Sequence, residues 1–302
     1  MHLDFRFIKA ASCGNLDEAK CLLGQGANLH AHRNAAFMKA AAKGHLAVVQ
    51  YLLEQGVELH FENDFALRLA ASNGHLALVE FLVERGANLH AQDEYALVQA
   101  AEGGHLEIVR YLVGRGADIH AENGMALRLA ATSGNLEVVE FLLGLGADLH
   151  VNEEEALKMA LNRGHLEVVK TLVKRGAYFL DTKVFNAAVL GGHFQAVEFL
   201  LEQGADEIIT DEYLDFLLRT KNFEVTNLFF SYNLRIKEKT PKLIVKILRL
   251  NLVKKNNVFF IKSELLRTYR RKLLPAIVYL LRHLFYRPGS PVFFQAVEVE
   301  SS

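Results

Sequence analysis

Apolar residues recur along the first 200 residues in two amphipathic segments per 30 residues. In one such unit Leu76, Val79 and Leu82 fall on a single helical stripe with polar residues between them. The segment before it, residues 66–73, consists of good helix formers and ends at Gly74. The pattern therefore predicts two short helices per unit, each closed by a glycine.

Several residue types keep the same register from unit to unit. A glycine recurs every 30 residues through six units, and a leucine, a valine and a second glycine recur in phase with it. The first series is Gly14, Gly44, Gly74, Gly104, Gly134 and Gly164, followed by Gly192 and by Lys221 in the glycine position. A 30-residue hairpin cannot bury its apolar stripe alone, so units of this kind stack on one another. The sequence predicts an all-α repeat solenoid of about eight units over residues 1–233.

Two motifs give the units a family resemblance. Residues 164–170 (Gly-His-Leu-Glu-Val-Val-Lys) and 116–121 (Gly-Ala-Asp-Ile-His-Ala) resemble ankyrin repeats. The units are about three residues shorter than the usual ankyrin unit of about 33 residues. Residues 123–128 also lack its Thr-Pro-Leu-His start. We therefore expect clipped turns instead of β-hairpin fingers. Such short units are similar to ankyrin arrays of intracellular bacterial effectors and giant viruses, which makes a secreted effector one hypothesis.

Thirteen histidines raise the question of a metal site. Ten of them form two repeat series: His45, His75, His105, His165 and His193; and His30, His60, His90, His120 and His150. A metal or catalytic site is a single constellation of different residues, whereas a residue present once per unit performs one task per unit. We interpret both series as hydrogen-bonding residues between helices and units. With only Cys13 and Cys21 as thiols and no phosphate-loop motif, we predict no metal, no cofactor and no enzymatic activity.

The residues just before each first-series glycine vary between units while the scaffold stays constant. In ankyrin proteins these positions line the concave groove, and the resemblance places Arg68, Arg128 and Lys158 there too. Variable, exposed positions on a rigid surface favour binding. The predicted partner-binding residues are Lys43, Arg68, Ser72, Asn73, Glu102, Arg128, Thr132, Ser133, Lys158, Asn162 and Arg163.

The formal net charge of −1 hides a division along the chain. Residues 1–233 contain 19 Lys and Arg against 31 Asp and Glu, whereas residues 234–287 contain 15 against 2. Acids cluster at the turns between units: Glu62, Asp64, Asp93, Glu94, Glu122, Glu153, Glu154 and Glu155. A row of like charges steers an oppositely charged partner, so we expect a basic protein and disfavour nucleic acid.

Residues 234–287 predict a basic helical cap or extension, with Thr240 and Pro241 as a helix start, and residues 288–302 a flexible tail. The basic patch consists of Lys242, Lys246, Arg249, Arg267, Arg270, Arg271 and Lys272. Three interpretations stay open: a cap over the last unit, contact with an anionic membrane surface, and contact with a protein or nucleic acid.

The leading functional hypothesis is a monomeric cytoplasmic adaptor that binds a partner protein in the groove. Neither a signal-peptide pattern nor an apolar segment of about 20 residues is present. The alternatives are a membrane-surface tether through the basic helices and an enzyme whose site lies in residues 234–302. That segment has four acids, one histidine and no cysteine, which is poor equipment for acid–base catalysis.

Overall fold

A computed structural model describes residues 2–208, which form seven helical hairpins and a short 3-10 helix, Ala205–Ile208. The chain divides into two compact units, and the first, Met1–Ala205, contains all seven hairpins. The predicted eighth repeat, the basic region 234–287 with its patch of lysines and arginines, and the tail 288–302 lie outside the described residues.

Each hairpin pairs a first helix of 8–13 residues with a second helix of 9 residues. The first helices are α1 (His2–Ser12), α3 (Ala31–Ala42), α5 (Phe65–Ser72), α7 (Ala91–Glu102), α9 (Ala121–Ser133), α11 (Val151–Arg163) and α13 (Thr182–Gly191). The second helices are α2 (Leu16–Gly24), α4 (Leu46–Glu54), α6 (Leu76–Glu84), α8 (Leu106–Gly114), α10 (Leu136–Gly144), α12 (Leu166–Lys174) and α14 (Phe194–Glu202). No strand occurs in residues 2–208, and the connections between hairpins are short turns. The predicted helical solenoid with clipped turns is confirmed.

The apolar stripes are buried between neighbouring hairpins. Val79 and Leu82 on α6 are completely inaccessible to solvent, and so are Ala70 and Ala71 on α5. First helices contact one another more extensively than second helices do. Their small alanines allow this close approach, whereas the second helices present larger side chains. The first-helix layer is therefore the more tightly packed side of the stack.

A histidine that follows the first-helix glycine joins each unit to the one before it. His105 Nε2 lies 3.0 Å from the carbonyl oxygen of Ser72, at the end of the preceding first helix. A carbonyl oxygen can only accept, so this ring nitrogen donates. Equivalent bonds join His45 to Ser12, His75 to Ala42, His165 to Thr132 and His193 to Asn162. The prediction that this histidine series bonds between units is confirmed.

Asn135 stands in this position in one unit and performs the same task. Its Nδ2 donates to the carbonyl oxygens of Ala101 and Glu102 at 2.9 and 2.8 Å. The junction therefore requires a side-chain N–H at this position, and histidine and asparagine both supply one.

The ring of this histidine also explains why the first helix of the preceding unit ends at a glycine. Gly74 has φ +81°, and a Cβ there would lie 2.8 Å from the His105 ring. Conformation and space therefore both require glycine. The glycine that closes the second helix is different, since Gly86 has φ +96° but nothing within 4 Å of its missing Cβ. We call Gly74, His105 and the Ser72 carbonyl, with their equivalents in other units, the glycine–histidine junction.

Candidate protein-binding surface

The predicted partner-binding residues lie on the first helices and at their carboxyl ends. We call the solvent-facing side of these helices, with the two residues before each glycine, the first-helix surface. Six of the predicted residues are exposed: Lys43, Asn73, Glu102, Ser133, Asn162 and Arg163. Five are half-buried: Arg68, Ser72, Arg128, Thr132 and Lys158.

The junction explains why the residues before the glycine vary so freely. At Ser72, Thr132 and Asn162 the group that binds the next unit's histidine is the main-chain carbonyl. Any residue supplies that carbonyl, so the side chain is not constrained by the junction. These positions can therefore change without loss of the stacking contact, as a recognition surface requires.

Arg68 is held within the array. Its Nη2 donates to the carbonyl oxygen of Glu62 at 2.9 Å, and its guanidinium lies over the rings of Phe65 and Tyr95 at 4.7 and 5.6 Å. Tyr95 belongs to the next unit, so Arg68 braces two units. Burial lowers the pKa of Arg68, against the opposing influence of Tyr95 and Glu62.

Arg128 and Lys158 occupy the equivalent position in later units and make the equivalent contact. Arg128 Nη2 donates to the Glu122 carbonyl at 3.0 Å, and Lys158 Nζ donates to the Asn152 carbonyl at 3.1 Å. Arg128 Nη1 also donates to Glu155 Oε2 of the next unit at 2.7 Å. A hydrogen bond from Asn152, and then the bond from Arg128, lowers the pKa of Glu155. These basic side chains thus have an intramolecular task that the sequence analysis missed.

The carbonyls that they bind belong to an unusual turn. Glu62, Asn63 and Asp64 have φ values of +50°, +56° and +56°, so three successive residues adopt the left-handed conformation. The same turn recurs at residues 32–34, 92–94, 122–124 and 152–154. Left-handed geometry costs about 1–2 kcal/mol for each ordinary residue. We call these five segments the left-handed turns.

The third residue of the turn points inward and contacts a histidine four residues earlier. Asp64 is 4% exposed, and its Oδ1 lies 2.9 Å from His60 Nδ1. His150 and Glu154 make the same pair at 2.5 Å, as do His90 with Glu94 and His30 with Asn34. Gly124 has no side chain to offer. The second histidine series therefore bonds to the third residue of the left-handed turn. The spacing of four residues between the two side chains is visible in the sequence.

Most of the acids at the turns are already paired. Glu62 pairs with Arg33, Glu153 with Lys183, and Glu155 with Arg128. Asp64, Glu94 and Glu154 are buried beside their histidines. Lys183 lowers the pKa of Glu153, chiefly through its hydrogen bond. Of the eight acids, only Asp93 and Glu122 lack such a side-chain pairing within the described part of the chain. The basic partner stays a prediction. It is supported by two unpaired acids instead of eight.

Apolar side chains are also open to solvent on the first-helix surface. Tyr95 and Met159 are 38% and 37% exposed. Leu69 and Leu129 are half-buried and lie at the position of Met159 in earlier units. A tightly packed scaffold thus presents aromatic and aliphatic side chains beside variable polar ones.

Groups that could perform chemistry are sparse in the same region. No group of three or more His, Cys, Asp or Glu in residues 2–208 is placed to bind a metal ion. Cys13 and Cys21 are exposed and unpaired as a disulfide. None of the described helices is long and apolar enough to span a bilayer.

Comparison with known proteins identifies the family. The family model for ankyrin repeats matches three overlapping stretches, residues 7–93, 67–153 and 127–211. A solved structure, the ankyrin repeat domain of human ASB11, is 26% identical with a TM-score of 0.53. That match covers 61% of this chain and 96% of the other. A comparison with curated proteins finds no significant match.

Because the matched stretches cover more than half of the sequence, the chain belongs to the ankyrin repeat family. Ankyrin repeats indicate a protein–protein interaction module, and members of the family are typically non-enzymatic. The resemblance seen in the sequence is confirmed.

Proposed function

We propose that this protein is an adaptor that binds a partner protein on the first-helix surface. The supporting observation is the junction itself, in which a main-chain carbonyl joins the units and leaves the adjoining side chains free to vary. A rigid scaffold with unconstrained, exposed positions reduces the entropy lost on binding. The closer packing of the first helices supports placing the concave face of the stack on this side.

Tyr95 and Met159 are the central contacts in this proposal. They are exposed, while Arg68 beside Tyr95 is held by contacts within the array. A pre-positioned arginine next to an exposed aromatic ring is the composition of an interface hot spot. Asp93 and Glu122 supply the negative charge that would favour a basic group at the rim. Arg68, Arg128 and Lys158 would contribute their apolar stems more than their charged ends.

Affinity capture from cytosol with the full chain tests the proposal. The wild type is compared with a Tyr95→Ala, Met159→Ala variant and with a Leu145→Ala control. Leu145 is 47% exposed and directly follows the second helix α10. Its substitution therefore removes apolar surface from the side formed by the second helices. We expect partners that the double variant loses and the control keeps, each then measured by calorimetry. Partners retained equally by all three proteins would contradict binding at the first-helix surface.

The basic region 234–287 would present the bound partner, in a cytoplasmic setting or in a host cell if the protein is an effector. Its composition supports a contact with anionic surfaces. Co-sedimentation of the full chain with anionic and with neutral vesicles tests the tether. Equal binding to anionic and neutral vesicles would contradict a tether that depends on the basic region.

A further inference from the structure

Three lysines cluster at the amino-terminal end of the first-helix surface. Lys9 on α1 and Lys39 on α3 both stand five residues before the glycine of their unit, and the two helices are in contact. Lys43 follows Lys39 by four residues and so shares its face. All three are exposed, and within residues 2–208 their side chains make no hydrogen bond or ion pair. We call them the lysine cluster.

The fold itself does not require these lysines. A cation in the last turn of a helix stabilises the helix dipole. However, α5, α7, α9 and α13 have no basic residue in the last turn and stack in the same way. The nearby arginines Arg6 and Arg33 pair with Glu18 and Glu62. The unpaired positive charge at this end therefore belongs to the lysine cluster.

The surface changes character beyond the second unit. The residues equivalent to Lys9 and Lys39 are Leu69, Gln99, Leu129 and Met159. Neighbouring packed helices lie about 8–10 Å apart, and an extended chain advances about 3.3 Å per residue. A bound extended segment thus passes one unit in about three residues. It would meet positive charge first and apolar side chains afterwards.

We propose that the lysine cluster binds an acidic stretch of the partner protein, and that this stretch is followed by apolar residues over Leu69, Leu129 and Met159, about six and then about three residues apart. The proposal deepens the proposed function and rests on it. The bound segment gains a direction from the unequal ends of the surface, with three exposed lysines at one end and, within residues 2–208, Arg163 as the exposed, unpaired cation at the other.

Nucleic acid fits this surface less well. A phosphate backbone requires positive charge along its whole path. Here the exposed, unpaired lysines lie in the first two units and Arg163 follows only in the sixth. Arg68, Arg128 and Lys158 between them bind main-chain carbonyls, and the turns present Asp93 and Glu122. An acidic peptide needs positive charge at one end only.

Selection from a displayed library of random peptides of about 15 residues, with the full chain as bait, tests the proposal. We expect the selected peptides to contain two or more acids followed by apolar residues at spacings of about six and about three. Fluorescence anisotropy then compares the wild type with a Lys39→Glu, Lys43→Glu variant. We expect the affinity of the variant to be lower by about tenfold or more, and we expect this difference to be smaller at high salt, which screens the charges. Lys174→Glu is the matched control, because Lys174 is exposed on the second helix α12. Circular dichroism verifies that all variants fold.

The outcomes separate the two proposals. Peptides that bind the charge-reversed variant unchanged, yet are lost with Tyr95→Ala, Met159→Ala, overturn the lysine cluster and leave the proposed function intact. Peptides unaffected by either variant overturn both. A single-stranded RNA that competes with the peptides, and is itself lost on charge reversal, overturns the assignment to an acidic protein.

Discussion

The glycine–histidine junction and the left-handed turn each use a histidine in most units, and the two histidines act over different distances in the sequence. His105 bonds to a carbonyl 33 residues earlier, whereas His60 bonds to a side chain four residues later. The first therefore contributes to the interface between units and the second to the local stability of the turn that opens a unit. In a repeat array these two terms sum to the stability.

The two sites also differ in what is constant. The acceptor at the junction is always a main-chain carbonyl, so every junction is chemically alike. The partner in the turn is Asn34, Asp64, Glu94 or Glu154, and Gly124 replaces it in one unit. Units should therefore differ in their own stability more than their interfaces do.

The largest expected effect is on the junction glycine. Gly74→Ala places a Cβ against the His105 ring and holds alanine at φ +81°. We expect a loss of about 2–4 kcal/mol in the free energy of unfolding, measured by urea denaturation. Gly86→Ala is the control, with positive φ but open space, and should lose about 1–2 kcal/mol. Equal losses would show that the histidine does not fill the site.

Next in size is the junction histidine. His105→Ala removes the donor to the Ser72 carbonyl and should cost about 1–2 kcal/mol. His105→Asn should recover most of that loss, because Asn135 makes the same bond in its own unit. The urea denaturation midpoints of the alanine and asparagine variants, compared with the wild type, test this expectation. An asparagine variant no better than alanine would mean that ring packing, and not the hydrogen bond, joins the units.

A smaller effect is expected in the turn. Glu94→Gly and Glu94→Ala both remove the carboxylate that contacts His90, but only glycine relieves the left-handed backbone at φ +65°. The glycine variant should be more stable than the alanine variant by about 1 kcal/mol. Gly124 shows that the array accepts this residue. The reverse order by thermal denaturation would contradict strain in the turn.

The smallest effect is a dependence on pH. The pKa of Glu155 is lowered in the folded protein by Asn152 and Arg128, from an ordinary value of 4.5. A lowered folded pKa adds stability that is complete above the unfolded value and is lost as the pH falls through the folded value. Glu155→Gln should therefore lower the urea midpoint near pH 7, and the difference from wild type should shrink below pH 4.5. Glu122→Gln, which removes a turn carboxylate without a side-chain pairing in residues 2–208, is the control.

The regular part of the fold was predictable because glycine and the apolar period mark it directly. The pattern at residues 66–73 and 76–84 predicted a hairpin, and the helices α5 and α6 lie there. The junction bond was also predictable in kind, since a histidine that recurs from unit to unit must meet a recurring partner.

The left-handed turns were not predictable from residue type. Arg33 and Glu153 adopt positive φ without being glycine, asparagine or aspartate. Their ion pairs with Glu62 and Lys183 of the next unit are tertiary contacts, which help to hold a conformation that local preference opposes. The contact of Arg68 with a carbonyl six residues earlier exists only once the turn has that shape, so the sequence, which placed Arg68 in the groove by resemblance, did not predict this contact.

Main-chain acceptance at the junction has an evolutionary consequence. A segment of 30 residues can be duplicated, deleted or exchanged in the gene with the junction bond kept, because the new unit meets the same carbonyl and supplies the same N–H. Lengthening the array and diversifying its recognition residues are then independent events.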